Sequence, residues 1–358
     1  MIYGATGRSG ELIARKAVAR GLRPILAGRD AQVLYKLGET LKLPCRVFEF
    51  GDWERVRQEI SRVNLLVNAA GPLMQTSVLV AESCLAGHTH YFDLTNQVPS
   101  LVAIYTLDAE AREKGLTLLP GLALSPAASN CLIKHLHSLL PDADDLHIVV
   151  EPFMHEHSPG ANLTIAENIV QGGFRRRGGS LERYRIGGEL IEADLPSGPR
   201  RMLPSALGDV EAAYRCTRLP NITTYIVSEI PTVFGGWQRR ARVPAVRSTL
   251  VPAHADTQSS VDHGGNGIHG GEHQSMVWAR MSQTGKKSLE GLLQFGEGHD
   301  FTAAAVVAGV SRLLENRRLS AGAHTPATAL GADFVLELPN VKRTIQPLEP
   351  ENDVRARL

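Results

Sequence analysis

The first third of the chain predicts an α/β protein built on a doubly wound parallel sheet, and three observations predict it. Short aliphatic and β-branched runs alternate with longer amphipathic ones through residues 1–120. A glycine-spaced turn, Gly4-Ala5-Thr6-Gly7-Arg8-Ser9-Gly10, stands between the first apolar run and the first amphipathic one. Gly21, Gly87 and Gly115 fall where helices should stop. The expected strands are Met1–Tyr3, Arg23–Ala27, Arg46–Glu49, Leu65–Asn68, Tyr91–Leu94 and Leu116–Leu119. The expected helices include Glu11–Arg20, Ala31–Leu41, Thr76–Ala86 and Pro99–Lys114. In the last of these, Leu101, Ile104, Tyr105 and Asp108 share one buried stripe beside a polar face. Strand–helix repeats in this order make a Rossmann-type dinucleotide-binding domain.

Composition bounds the rest. A chain of 358 residues suggests two domains, each able to bury its own core. With 38 basic against 37 acidic side chains it is no electrostatic binder of polyanions. A charged fraction of 21% with 43% apolar residues argues against disorder. Cys45, Cys84, Cys131 and Cys216 are scattered without a CxxC, which excludes a disulfide framework and a thiolate zinc site. No apolar run reaches the ~18 residues of a membrane span, and no signal peptide is read at the start. The expected setting is cytoplasmic.

Chemistry is expected at the strand ends. Gly4 permits the tight turn, Gly7 lets the backbone approach a pyrophosphate, and Gly10 allows close helix–strand packing. The helix start offers free N–H groups to phosphates, so Gly4, Ala5, Thr6, Gly7, Arg8, Ser9 and Gly10 are candidate cofactor contacts. After the second strand, where an NAD site carries an acid, the first polar side chain is Arg29. Its planar guanidinium suits a 2′-phosphate, so NADP is preferred over NAD. The alternative keeps Arg29 in solvent, with Asp30 capping the next helix. Small residues after the fourth strand, Ala70, Gly71 and Pro72, leave room for the nicotinamide ribose. On the fifth unit, His90 is open to a catalytic or a structural role, while Asp93 and Thr95 lie at the strand's mouth.

These residues bring the chain close to a known family. It resembles the saccharopine dehydrogenase-like NADP-binding oxidoreductases, in the bacterial branch similar to trans-acting enoyl reductases. The shared motifs are Tyr3-Gly4-Ala5-Thr6-Gly7, Leu26-Ala27-Gly28-Arg29, Ala70-Gly71-Pro72 and His90-Tyr91-Phe92-Asp93. Beyond them come Leu119-Pro120-Gly121, Ser125-Pro126, Ser129-Asn130-Cys131-Leu132, Ser158-Pro159-Gly160-Ala161, Gly296–Thr302, Thr325-Pro326-Ala327 and Gly331-Ala332-Asp333-Phe334. The resemblance implies a dinucleotide domain over 1–122, an α+β substrate and dimerisation domain over 123–300, and a segment over 301–345 returning to the first domain. Strand-like stretches at Leu146–Phe153, Arg183–Ile186, Thr223–Ser228 and Ser275–Met281, and a helical one over 161–171, agree with a separate second domain. It further implies hydride transfer to or from an imine, keto or enoyl acceptor held between the domains. On that reading His90, Tyr91 and Asp93 supply polar groups at the nicotinamide end, and Thr95, Ser125 and Asn130 contact substrate. The expected partners are a small-molecule substrate and, as an alternative to a monomer, a second copy of the chain, without nucleic acid.

Two features stand apart. Three residues precede Gly4 where about five would be ordinary for a central strand; the strand is expected to be clipped, or the start codon set too late. The loop 250–274 carries His254, His263, His269 and His273 among Gly and Ser, at spacings that match no ligand pair, and no metal is expected. His155 and His157 share a strand face without an HExxH. Arg175–Arg177, Arg200-Arg201 and Arg239-Arg240 with Arg242 read as solvated loops. Short-chain dehydrogenases need a lysine four residues after a tyrosine; Tyr35 is followed there by Glu39 and Tyr91 by Thr95. There is no GxxxxGK[ST]. The rival of another class is a nucleotide-binding redox sensor or scaffold without turnover.

Overall fold

The computed structural model describes residues 1–154, 172–184, 191–195, 198–227, 274–315 and 319–348. His155, His157, the Ser158–Ala161 motif, the helix expected over 161–171, Arg239, Arg240, Arg242 and the histidines of the 250–274 loop lie outside the described residues.

The first sheet is built from β1 (Ile2–Tyr3), β2 (Leu26–Gly28), β3 (Cys45–Val47), β4 (Leu65–Asn68), β5 (His90–Asp93) and β6 (Thr117–Leu119). Between them run α1 (Arg8–Ala19), α2 (Ala31–Leu41), α3 (Trp53–Ile60), α4 (Leu73–Ala86), α5 (Val98–Thr106) and α6 (Asp108–Glu113). All pairings in this sheet are parallel, in the order β3-β2-β1-β4-β5-β6. The order therefore reverses between β1 and β4, which opens a crevice beyond the carboxyl ends of those strands. Alternation along each strand feeds two cores. Ile2, Leu26, Val67, Phe92 and Leu119 face one helix layer, while Tyr3, Ala27, Leu66, Tyr91 and Leu118 face the other.

Two local expectations change. The first strand spans Ile2–Tyr3 where Met1–Tyr3 was expected, and its ladder is continued by the Met1 amino nitrogen donating to the Leu65 carbonyl at 2.8 Å. The helix expected over Pro99–Lys114 is two helices, because the backbone turns at Leu107. Asp108 leaves the buried stripe and accepts the Ala323 N–H at 2.9 Å.

From β6 the chain crosses on α7 (Leu124–Leu139) to a second, mixed sheet. Its strands are β7 (Asp145–Glu151), β8 (Gly173–Arg177), β9 (Ser180–Tyr184), β10 (Ile191–Leu195), β11 (Gly198–Pro204), β12 (Asn221–Val227), β13 (Ser275–Gln283) and β14 (Lys287–Phe295). Central β7 runs parallel to β12 and antiparallel to β13. Helix α8 (Asp209–Thr217) packs against α7. After β14, α9 (Gly298–Leu314) lies along α1 and β15 (Gly322–Ala323) adds to the first sheet beside β6. The last strand, β16 (Lys342–Leu348), pairs with β14 instead. The closing segment thus serves both sheets, where a return to the first alone was expected. Short α10 (Pro326–Leu330) starts at a capping box on Thr325. One apolar cluster continues from Ile2 and Phe92 through Leu122, Leu132 and Val307 to Ile148 and Val277, so the two sheets share a core. Among the described residues no helix is long and apolar enough to cross a membrane.

Candidate functional site

The crevice begins with the glycine turn. Gly4 sits at φ +80°, and a Cβ there would stand 2.7 Å from the Ala70 nitrogen. A Cβ on Gly10 would overlap the Gly4 carbonyl oxygen, so helix and turn can meet only as glycines. The turn is locked by Gly4 N–H to Ala27 O at 2.9 Å and Gly7 N–H to Gly4 O at 3.0 Å. Gly7 then caps α1 without a side-chain hydrogen bond, leaving the mouth of the helix to backbone N–H groups. This is a cradle for an anion at a helix N-terminus.

Around it lie the other carboxyl ends. Arg29 is exposed just beyond β2, near enough to Tyr3 to oppose the rise that burial imposes on its phenol, which is pushed up to about 12. Asp30 caps α2 by accepting the Val33 N–H at 3.1 Å, so the capping role and a free Arg29 coexist. Tyr3 stacks on Phe50, with centroids 4.0 Å apart, and Phe50 lies parallel to Trp53. Ala70, Gly71 and Pro72 follow β4, and a Cβ on Gly71 would meet nothing within 4 Å. The mouth on this side is open.

Asn68, opposite Asp93 across the β4–β5 ladder, anchors a buried network. Its side-chain oxygen accepts the Ala70 N–H at 3.2 Å, and Tyr91 OH donates to Asp93 at 2.7 Å. The other Asp93 oxygen accepts N–H groups from Thr95 and Gly121, each at 2.9 Å. Burial raises the Asp93 carboxyl, and these three donors oppose the rise. Burial also pushes the Tyr91 phenol well up, with the Asp93 charge adding to it. The pair holds the walls of the crevice; both side chains are fully enclosed.

Several expected contacts lie elsewhere. His90 is at the amino end of β5, opposite Leu65, about 10 Å of strand away from Asp93. Its Nδ1 accepts the Thr117 N–H at 2.9 Å, and burial lowers its pKa. His90 thus spends its Nδ1 on the backbone of β6, at the end of β5 opposite the crevice. Asn130 is turned into the protein: it donates to Ala212 O at 3.0 Å and accepts the Ala327 N–H at 2.9 Å. Ser125 donates to Asp209 at 2.7 Å, beside Ser129 on the same carboxylate. Thr95 donates to Gln97 at 2.8 Å. These three lie near the crossover but spend their polar groups on the protein.

One neighbour of the turn comes from the Gly296–Thr302 motif, to which no site role was assigned. His299, in the first turn of α9, is buried and lies 3.2 Å from Ser9 through its Nδ1. Their separation of 290 positions hides the pairing from any local pattern.

Among known proteins, no family model and no curated protein matches the sequence. Solved structures do. Homospermidine synthase from Legionella pneumophila, determined in complex with NAD, aligns with a TM-score of 0.64 at 10% identity, covering 96% of this chain and 90% of that one. Apo saccharopine dehydrogenase (L-Glu forming) from Saccharomyces cerevisiae aligns at 0.61 and 10% identity, covering 96% and 99%. The resemblance drawn from the motifs is thus met at the level of architecture: this chain has the fold of saccharopine dehydrogenase.

Proposed function

We propose that the protein is a nicotinamide-dinucleotide oxidoreductase that prefers NADP. The observation that carries this reading is the turn from Gly4 to Gly10, where glycines alone fit and an uncapped helix start faces the crevice. The residues fit such a cofactor: N–H donors for a diphosphate, an exposed guanidinium for a 2′-phosphate, and small side chains at Ala70 and Gly71 for a ribose. When bound, the nicotinamide would supply hydride to an imine, keto or enoyl carbon, or take it from the corresponding amine, alcohol or saturated carbon. The chain's own part is to hold and orient. Asn68, Tyr91 and Asp93 brace the two loops at the crevice mouth, and in this reading they position rather than exchange protons. The fold shared with saccharopine dehydrogenase and with homospermidine synthase, the latter determined in complex with NAD, supports a dinucleotide oxidoreductase.

Calorimetry with NADPH and NADH on the full chain tests the reading. Wild type should take up NADPH more tightly. Arg29→Ala should weaken NADPH about tenfold or more while changing NADH less than threefold, as a charge-assisted bond contributes about 1.5–3 kcal/mol. Equal losses would remove Arg29 from the phosphate, and no uptake of either would end the enzymatic reading. Cofactor uptake with no oxidation of NADPH by any carbonyl, imine or enoyl compound would favour the sensor alternative.

A further inference from the structure

We propose that His299 is a positioning residue for the cofactor diphosphate, acting through Ser9; this rests on the dinucleotide reading above. Ser9 is the second residue of α1 and stands at the mouth of the glycine turn. Its Oγ lies 3.2 Å from the His299 Nδ1. A diphosphate presents only acceptor oxygens, so a hydroxyl that serves it must keep its own proton free. That condition fixes the direction of the contact. Nδ1–H donates to Oγ, and the Ser9 proton is turned toward the anion.

The first turn of α9, which carries the imidazole, is held on several sides. The Gly298 N–H donates to Phe153 O at 2.9 Å, at the end of the chain leaving β7. A Cβ on Gly298 would overlap Leu124 of α7, so α9 seats closely there. Glu297 caps the helix by accepting the Asp300 N–H at 2.8 Å, and Asp300 pairs with Lys16 of α1 at 2.8 Å. The start of α9 is therefore fixed by contacts with α1, α7 and the chain leaving β7, and the imidazole meets the turn at Ser9. A residue set this way aligns a bound diphosphate with the second domain.

The test uses calorimetry of the full chain with NADPH, NADH and ADP-ribose, the last carrying the diphosphate without nicotinamide. Ser9→Ala and His299→Ala should each weaken all three about tenfold, the size expected for one bond to a charged group. The double variant should be no weaker than either single one, since both act through one contact. His299→Asn, whose amide nitrogen can stand where Nδ1 stands, should recover binding to within about threefold, and His299→Gln should not. Additive losses in the double variant would overturn the proposal. So would a lower thermal midpoint with unchanged affinity, which would make His299 a packing residue. If wild type takes up no ligand carrying a diphosphate, the dinucleotide reading falls and this proposal with it; uptake by wild type with unaffected variants sinks this proposal alone.

Discussion

The Nδ1 of His90 can accept the Thr117 N–H only while it carries no proton, and burial already disfavours the imidazolium. In the unfolded chain the ring titrates near its ordinary value of about 6.5. Between that value and the lower folded one, the unfolded state binds more protons, so stability falls as pH drops below about 6.5. His90→Asn keeps an acceptor at the Nδ1 position and removes the titration. Its stability to urea should fall less than the wild type's between pH 6.5 and 5, with turnover per folded molecule unchanged. A fall in turnover with the same acid sensitivity would return His90 to the chemistry. The glycines and Arg29 were legible because backbone geometry and first position after a strand are local facts. The destinations of His90, Ser125 and Asn130 were not, because their partners Thr117, Asp209 and Ala327 lie 27, 84 and 197 residues away.

At the scale of elements, the joint between α7 and α8 turns on one carboxylate. Asp209 is fully enclosed at the start of α8 and takes hydrogen bonds from Ser125 and Ser129. Burial raises its pKa, and the serine hydroxyls pull it back. Above the ordinary Asp value of about 4, the unfolded chain has released its proton while the folded one retains it. Stability therefore falls as pH rises from there to the raised folded value. Asp209→Asn should flatten that fall, by about 1 kcal/mol for each unit of the rise, when unfolding by urea is followed from pH 4 to 7. An identical slope in both proteins would show that the carboxylate ionises as freely folded as unfolded. The helices of the first sheet could be read from their apolar stripes and caps, and Ala31–Leu41 matches residue for residue. Helix α7 could not. It is enclosed by β13, β14, α8, α9 and α10, its first ten residues are all buried, and no polar face marks a period of 3.6. The break at Leu107 was hidden for the opposite reason, since its flanks keep a helical pattern on both sides.

For the molecule as a whole, a core that runs unbroken from Ile13 to Val277 predicts that both sheets unfold together. Trp53 reports on the first and Trp278 on the second. Single-tryptophan proteins keeping one or the other, with Trp237 also replaced, should give urea midpoints within about 0.2 M of each other. Two separated transitions would mean that α7 and α9 connect the sheets without coupling them. Here the sequence was informative about the first sheet, whose neighbours mostly follow from short crossovers, β15 beside β6 excepted. In the second it marked β7, β12 and β13 as strand-like but not their order, because β7 finds β12 and β13 across long intervals and no local signal sets the pairing.

The late placement of α9 and β15 has a consequence for biosynthesis. A ribosome adding about 5–20 residues each second needs roughly 10–40 s to travel from Leu119 to Ala323. Throughout that interval the emerging polypeptide carries an apolar surface around Leu122 and Phe92 that its own downstream helix has yet to cover. Newly made chains should therefore depend on a holding chaperone for longer than the compactness of the opening six-strand unit would suggest.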